Sequence, residues 1–141
     1  MKKNKPLTIM IIILVVITLV AAIALVMVLN TKKDDSKGPS IDQIVKTSVE
    51  VPEITTNLDE NGFIKISFMI ETDSKSAKKE LEKRNFQVKN IIIKELSQWK
   101  SSQMEGEQWM PNLESKLKDK FNGIMQDGKV EEVLVTSSII Q

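Results

Sequence analysis

The chain has 141 residues, 20 basic against 19 acidic, with a formal net charge of +1 and neither cysteine nor histidine. That balance excludes the clustered basic footprint of a nucleic-acid-binding protein, and the missing cysteine excludes a disulfide framework or a thiolate metal site. The missing histidine removes the commonest metal ligand and the one side chain that titrates unperturbed near neutrality.

Residues 7–29 are apolar apart from Thr8 and Thr18, and Leu, Ile and Val supply most of them. A helix of that length spans roughly 34 Å, enough to cross a hydrocarbon core of about 30 Å with some tilt. Two readings compete. Lys2, Lys3 and Lys5 before an apolar stretch, with Ala22-Ile23-Ala24 within it, resemble a secretory signal. A cleavable apolar core is about 7–15 residues, however, and here Leu25 to Leu29 continue past the site, which favours an uncleaved transmembrane helix. Basic residues flank the run on both sides (Lys2, Lys3 and Lys5; Lys32, Lys33 and Lys37), so the positive-inside bias is slight. The short tail, residues 1–6, is expected to stay in the cytoplasm.

Residues 30–42 are polar and charged and contain Gly38-Pro39, which reads as a flexible linker. Residues 43–141 are then one small domain by size. From Lys46 to Leu58 the chain reads as extended, with Val49 and Val51 on one face, Ile54 and Leu58 on the other, and a bulge or edge strand at Pro52. Asn61-Gly62 suits a turn with positive φ. Residues 63–72 alternate cleanly, with Ile64, Ile66, Phe68 and Ile70 on one side, completing a β-hairpin.

Asp73 or Ser74 is expected to cap a charged helix in which Glu80 and Arg84 pair at i, i+4. Asn85-Phe86 interrupts it, giving two helices or one kinked helix over residues 74–99. Val88, Ile92, Leu96 and Trp99 form the apolar stripe, widened by Ile91 and Ile93. Residues 100–107 read as a loop. A third amphipathic helix carries Met110, Leu113, Leu117, Phe121, Ile124 and Met125, either with Pro111 in its first turn or beginning earlier and bending there, and ends at Gly128. A closing strand over residues 130–140 puts Val133, Val135 and Ile139 on one side, Leu134 and Ile140 on the other. The order ββαααβ predicts an α+β fold with helices on one sheet face.

No constellation for chemistry emerges. Glu50, Glu53, Asp59, Glu60, Glu71 and Asp73 fall on turns and polar faces, where solvation is the expected state, and not in a pocket that would separate their pKa values. Asp59-Glu60-Asn61 is too short for a calcium loop. There is no G-x-S-x-G elbow and no phosphate-binding glycine loop. The reading is therefore no catalytic, cofactor-binding or metal residues, and no enzyme. The basic run Lys75, Lys78, Lys79, Lys83 and Arg84 could meet an acidic partner or lipid headgroups, although Glu80 and Glu82 balance it as a solvated helix face, which is the favoured reading. Trp99 continues an apolar stripe and is expected in the core; Trp109, beside Pro111, is the better candidate for an exposed contact.

The chain resembles the flagellar basal body-associated protein FliL family. The residues that carry the resemblance are Val51-Pro52-Glu53-Ile54-Thr55-Thr56-Asn57-Leu58, Ile64-Lys65-Ile66-Ser67-Phe68, the stretch RNFQVKNIIIKEL from Arg84, and VEEVLVTSSIIQ from Val130. The Trp109-Met110-Pro111 run departs from the family's pattern. The resemblance implies a stomatin-like domain outside the cytoplasm, held to the cell membrane by a single span at the flagellar basal body. It also implies a homo-oligomeric ring around the stator units that supports flagellar rotation, chemotactic motility and swarming. The alternative reading is a membrane-anchored extracytoplasmic binding or sensing module unrelated to motility.

Overall fold

The computed structural model describes residues 5–31 and 38–141. Lys2 and Lys3 of the expected tail, and residues 32–37 of the expected linker, lie outside them. The chain divides into two compact units, Met1–Ser40 and Ile41–Gln141.

In the first unit, Lys5–Thr31 form one helix, α1. Pro6 lies in its first turn, where a missing N–H leaves no helical bond unmade. It is apolar around its whole circumference, long enough to cross a bilayer, and its apolar side chains are exposed. The Thr18 hydroxyl donates back to the carbonyls of Leu14 (3.0 Å) and Val15 (2.9 Å), so this polar group is satisfied within the helix.

The second unit begins earlier than the composition indicates. Ile41–Thr47 form a short helix, α2, that runs directly into strand β1, Ser48–Leu58. Ile41 and Asp42, expected in the linker, and Lys46, expected in a strand, are all helical. The Ser48 hydroxyl donates to the Ile44 carbonyl at 2.6 Å, which closes this helix end. β1 pairs antiparallel with β2, Gly62–Thr72, and β2 pairs antiparallel with β3, Val130–Ile140, in the order β1-β2-β3. The central strand is the most regular, with Ile64, Ile66, Phe68 and Ile70 all fully buried.

Both edge strands carry bulges, and these correct the expected faces. In β1 the register shifts between Val51 and Ile54, on either side of Pro52 and Glu53. Val51 lies opposite Phe68 and Ile54 opposite Ile66, so both enter the core with Leu58. The bulge expected at Pro52 is present on an edge strand, and the one residue it adds turns Ile54 to the same face as Val51 and not the opposite one. In β3, Val135 lies opposite Phe68 but Ser137 opposite Ser67, which leaves Thr136 as the additional residue. Beyond it the alternation inverts: Ile140 packs against the core and Ile139 is exposed, the reverse of the predicted assignment.

The hairpin turn places Glu60 and Asn61 at φ 59° and 62°, one residue before the expected pair. Gly62 serves another need, because a Cβ there would lie 2.6 Å from the Ser101 hydroxyl oxygen.

Helices α3 (Lys75–Lys83), α4 (Asn85–Leu96) and α5 (Trp109–Asn122) pack on one face of the sheet. Ser74 caps α3, its hydroxyl accepting from the Ala77 N–H at 3.1 Å. The break between α3 and α4 falls on the single residue Arg84, so the two-helix alternative holds. Trp99 lies beyond the end of α4 but is buried, and its carbonyl accepts the Asp59 N–H at 3.0 Å. The expected loop at 100–107 contains a 3-10 turn, Ser101–Met104, that buries Met104. α5 ends at Asn122, capped by Gly123, and not at Gly128. Gly128 instead stands at φ 105° just before β3. Asn122 bridges that gap, donating to the Val130 carbonyl (3.0 Å) and accepting from its N–H (2.8 Å).

Candidate interaction surfaces

Among the described residues no three acidic, histidine or cysteine side chains group as metal ligands. Glu50, Glu53, Asp59, Glu60 and Asp73 are exposed. Two other carboxylates organise the fold. Glu80 accepts from the Asp127 N–H (2.6 Å), the Gln126 N–H (3.0 Å) and Arg84 Nε (2.7 Å), tying the segment after α5 to α3. The Asp127 hydrogen bond is the foremost reason its carboxyl is held below the ordinary value, and the Gln126 and Arg84 bonds add to it against the opposing effect of burial.

Glu95 is 3% exposed, deeper than a carboxylate on a helix normally sits. Its oxygens accept from Trp99 Nε1 at 2.9 Å and Lys120 Nζ at 2.8 Å, with Lys116 Nζ at 3.6 Å. Burial is the largest single influence and would raise its pKa. The bonds from Lys120 and Trp99 and the two lysine charges together outweigh it, and the pKa is lowered. Lys116 also lies over the Trp99 ring, 5.1 Å from its centroid. The sequence signal for this cluster was a Glu at i, i+4 from Trp99 facing lysines spaced i, i+4 on the next helix.

The basic run lies on α3 and at its end. Lys75, Lys79 and Lys83 are exposed, while Arg84 is engaged by Glu80 and by Gln87 Oε1 at 2.9 Å. Trp109 is not the exposed contact expected of it. It is the first residue of α5 and 5% exposed, in register at four-residue steps with the buried Leu113, Leu117 and Phe121. Pro111 permits this early start because the first helical N–H groups have no intrahelical partner to lose.

What remains open is the sheet face opposite the helices. Along β2 it presents Phe63, Lys65, Ser67, Met69 and Glu71. Glu132 lies opposite Glu71, Leu134 opposite Met69, Ser137 opposite Ser67 and Ile139 opposite Lys65. On the other side Glu50 lies opposite Met69 and Asn57 opposite Phe63. One end of the face is thus acidic, the other carries a lysine between two exposed apolar residues, Phe63 at 55% and Ile139 at 50% exposure. The Glu71 carboxyl titrates above its ordinary value, through partial burial first and the Glu132 charge second. At the acidic end a cleft of about 640 Å³ opens between α2 and the α3–α4 pair. Its lining joins Ile41 and Val45 of α2 to the core-side Val49, Val51, Ile70, Leu81 and Val88, with Glu50, Met69 and Glu71 also contributing.

This three-stranded sheet with its one-sided helices has a known counterpart in sequence. Residues 48–141, from the first residue of β1 onward, match the family described as "Flagellar basal body-associated protein FliL". The "Flagellar protein FliL" of Bacillus subtilis (strain 168) is 44% identical over 119 residues, covering 84% of this chain and 85% of that protein. The chain belongs to the FliL family. FliL proteins are flagellar accessory components, not enzymes. The family match takes in all three strands and helices α3, α4 and α5, while α1 and α2 precede it.

Proposed function

We propose that this FliL protein is a membrane-tethered component of the flagellar motor that assembles beside the stator units and supports rotation, swarming and chemotactic motility. Family membership over residues 48–141, from β1 onward, carries this reading. In it, α1 spans the cell membrane once with the tail in the cytoplasm, and the domain from Ile41 works outside. Two features favour such a role over that of a freely diffusing partner. A helix as long and apolar as α1 gains free energy from every aliphatic residue placed in lipid. The domain begins at Ile41, with nine residues (32–40) between it and the end of α1 at Thr31, so a span at α1 keeps the domain concentrated near other membrane proteins. At such concentrations weak lateral contacts are enough to build a homo-oligomeric ring around a stator.

The test is deletion and imaging in motile cells. Removing the gene is expected to reduce swarming, and a tagged full chain is expected to form foci coincident with tagged stator units. A version lacking residues 5–31 should lose both foci and complementation. If deletion leaves swimming and swarming intact and the protein fractionates away from basal bodies, the motor reading fails, and the anchored sensing module is the reading that remains.

A further inference from the structure

We propose that α2 and the exposed face of α3 form a lipid-docking surface. Ile41 and Val45 enter between the anionic headgroups of the bilayer that α1 crosses, and Lys75, Lys79 and Lys83 hold their phosphates. The proposal rests on the reading of α1 as a membrane span and adds to it a second, reversible contact made by the folded domain.

α2 leaves its aliphatic side chains in water. Ile41 is 71% exposed and Val45 64%, and no residue of this helix is buried. Four residues apart, the two share one side of it. α2 is also the domain element nearest to α1 along the chain, with residues 32–40 between them. A span at α1 therefore confines α2 to the neighbourhood of the bilayer surface.

α3 packs against α2 and carries the charge. Lys75, Lys79 and Lys83 recur at every fourth residue and are all exposed, which sets three ammonium groups in a row about 12 Å long. Lys78 lines the cleft together with Ile41 and Val45, so the cationic and aliphatic parts adjoin. Lys46 adds an exposed cation on α2. Among the described residues none of these five lysines forms an ion pair. Glu80 is occupied by Arg84 and by the N–H groups of Gln126 and Asp127. On the two helices that leaves Asp42 and Glu82 against five cations, while Glu50 and Glu71 belong to the strand side of the cleft.

A cationic row beside exposed aliphatic residues matches an anionic lipid surface, where phosphates take the ammonium groups and the interface takes the side chains. Each lysine close to such a surface strengthens binding about fivefold, so the row of three supplies roughly a hundredfold. An acidic protein would also satisfy the lysines, but only the bilayer is brought to this face by the chain's own connectivity.

The chain has no cysteine, which makes the test direct. Val45→Cys, Ser76→Cys and Ser102→Cys are each made in the full-length protein, labelled with the fluorophore NBD and reconstituted into vesicles. The vesicles hold equal parts phosphatidylglycerol and phosphatidylcholine with a trace of headgroup-spin-labelled lipid. Ser76 is exposed next to Lys75. Ser102 is exposed beside Ser101 at the hairpin end of the sheet, the length of the eleven-residue β1 away from α2, roughly 35 Å. Quenching at Val45 and Ser76 should exceed that at Ser102 by at least about threefold, and the excess should vanish in pure phosphatidylcholine or at about 1 M salt. Lys75→Glu, Lys79→Glu and Lys83→Glu together should abolish the excess, whereas Arg at all three positions should retain it, which separates charge from folding. Retention of the chain through an alkaline wash reads the span separately. A chain that washes off overturns the span and this inference with it. A retained chain with equal quenching at Val45 and Ser102, the result expected of a face made for an acidic protein, overturns the docking surface alone. So does an excess that survives in pure phosphatidylcholine or in the Glu variant.

Discussion

Glu95 shows how a single carboxylate can be both buried and ionised. Its three partners are unequal in kind: Trp99 Nε1 is held inside with it, whereas Lys116 and Lys120 keep much of their side chains in water. Lys120→Ala removes the charged hydrogen bond from an anion that cannot rehydrate, and should cost about 1–3 kcal/mol. Lys116→Ala, losing a 3.6 Å contact from an exposed side chain, should cost under about 1 kcal/mol. Urea unfolding of the full chain in detergent, followed by tryptophan fluorescence, measures both, since Trp99 and Trp109 both lie in the domain. The same readout checks pH dependence. Glu80 and Glu95 have folded pKa values lowered from 4.5, so their contribution is complete above that value and lost as pH falls through the lowered values. Glu71 is shifted the other way, so its contribution is complete below 4.5 and lost as pH rises through its raised value. Glu71→Gln should therefore stabilise the domain by about 0.2–1 kcal/mol near pH 7, with the gain disappearing below about pH 4. Glu95→Gln should narrow the difference in stability between those two pH values.

At the scale of elements, what could be read in advance follows the regularity of each segment. β2 is central, paired on both sides and free of bulges within Phe68–Glu71, so its alternation maps directly onto burial. β1 announces its irregularity with Pro52, but a proline shows where pairing slips and not that Ile54 turns inward with Val51. β3 gives no notice, because Thr136 and its serine neighbours are as acceptable in a regular strand as in a bulge. The burial of Trp109 is legible in its four-residue steps to Leu113, Leu117 and Phe121, and Pro111 is compatible with it because it lies in the first turn of α5. The Glu95 cluster was harder to see, since it depends on α4 lying against α5, and that is a tertiary fact. Glycines separate in the same way. Gly106 stands at φ 81° with open space around it, so Gly106→Ala should cost about 1–2 kcal/mol from backbone strain alone. Gly128 at φ 105° would also drive a Cβ to 2.6 Å from Asp73 Oδ1, the acceptor of the Lys129 N–H. Gly128→Ala should cost about 3 kcal/mol or more, seen as a lower urea midpoint than that of Gly106→Ala.

At the scale of the molecule, the succession of apolar rod and α+β domain was evident from hydropathy and periodicity, because both are one-dimensional signals. The extent of the domain was less so: α2 is seven residues of mixed polarity whose helix is fixed by contacts with β2 and α3, which no local pattern contains. α1 carries a consequence of its own. Apart from Thr8 near its start it is greasy on every side, and with the Thr18 hydroxyl folded back on its own backbone its middle gives a neighbouring span no polar handle by which to hold it at one angle. Replacing it with an unrelated apolar span of equal length should therefore leave swarming intact in a complementation assay, whereas a span engineered with one polar stripe should not be needed. Under the proposed membrane-tethered role, such a rod delivers an address and no mechanical message.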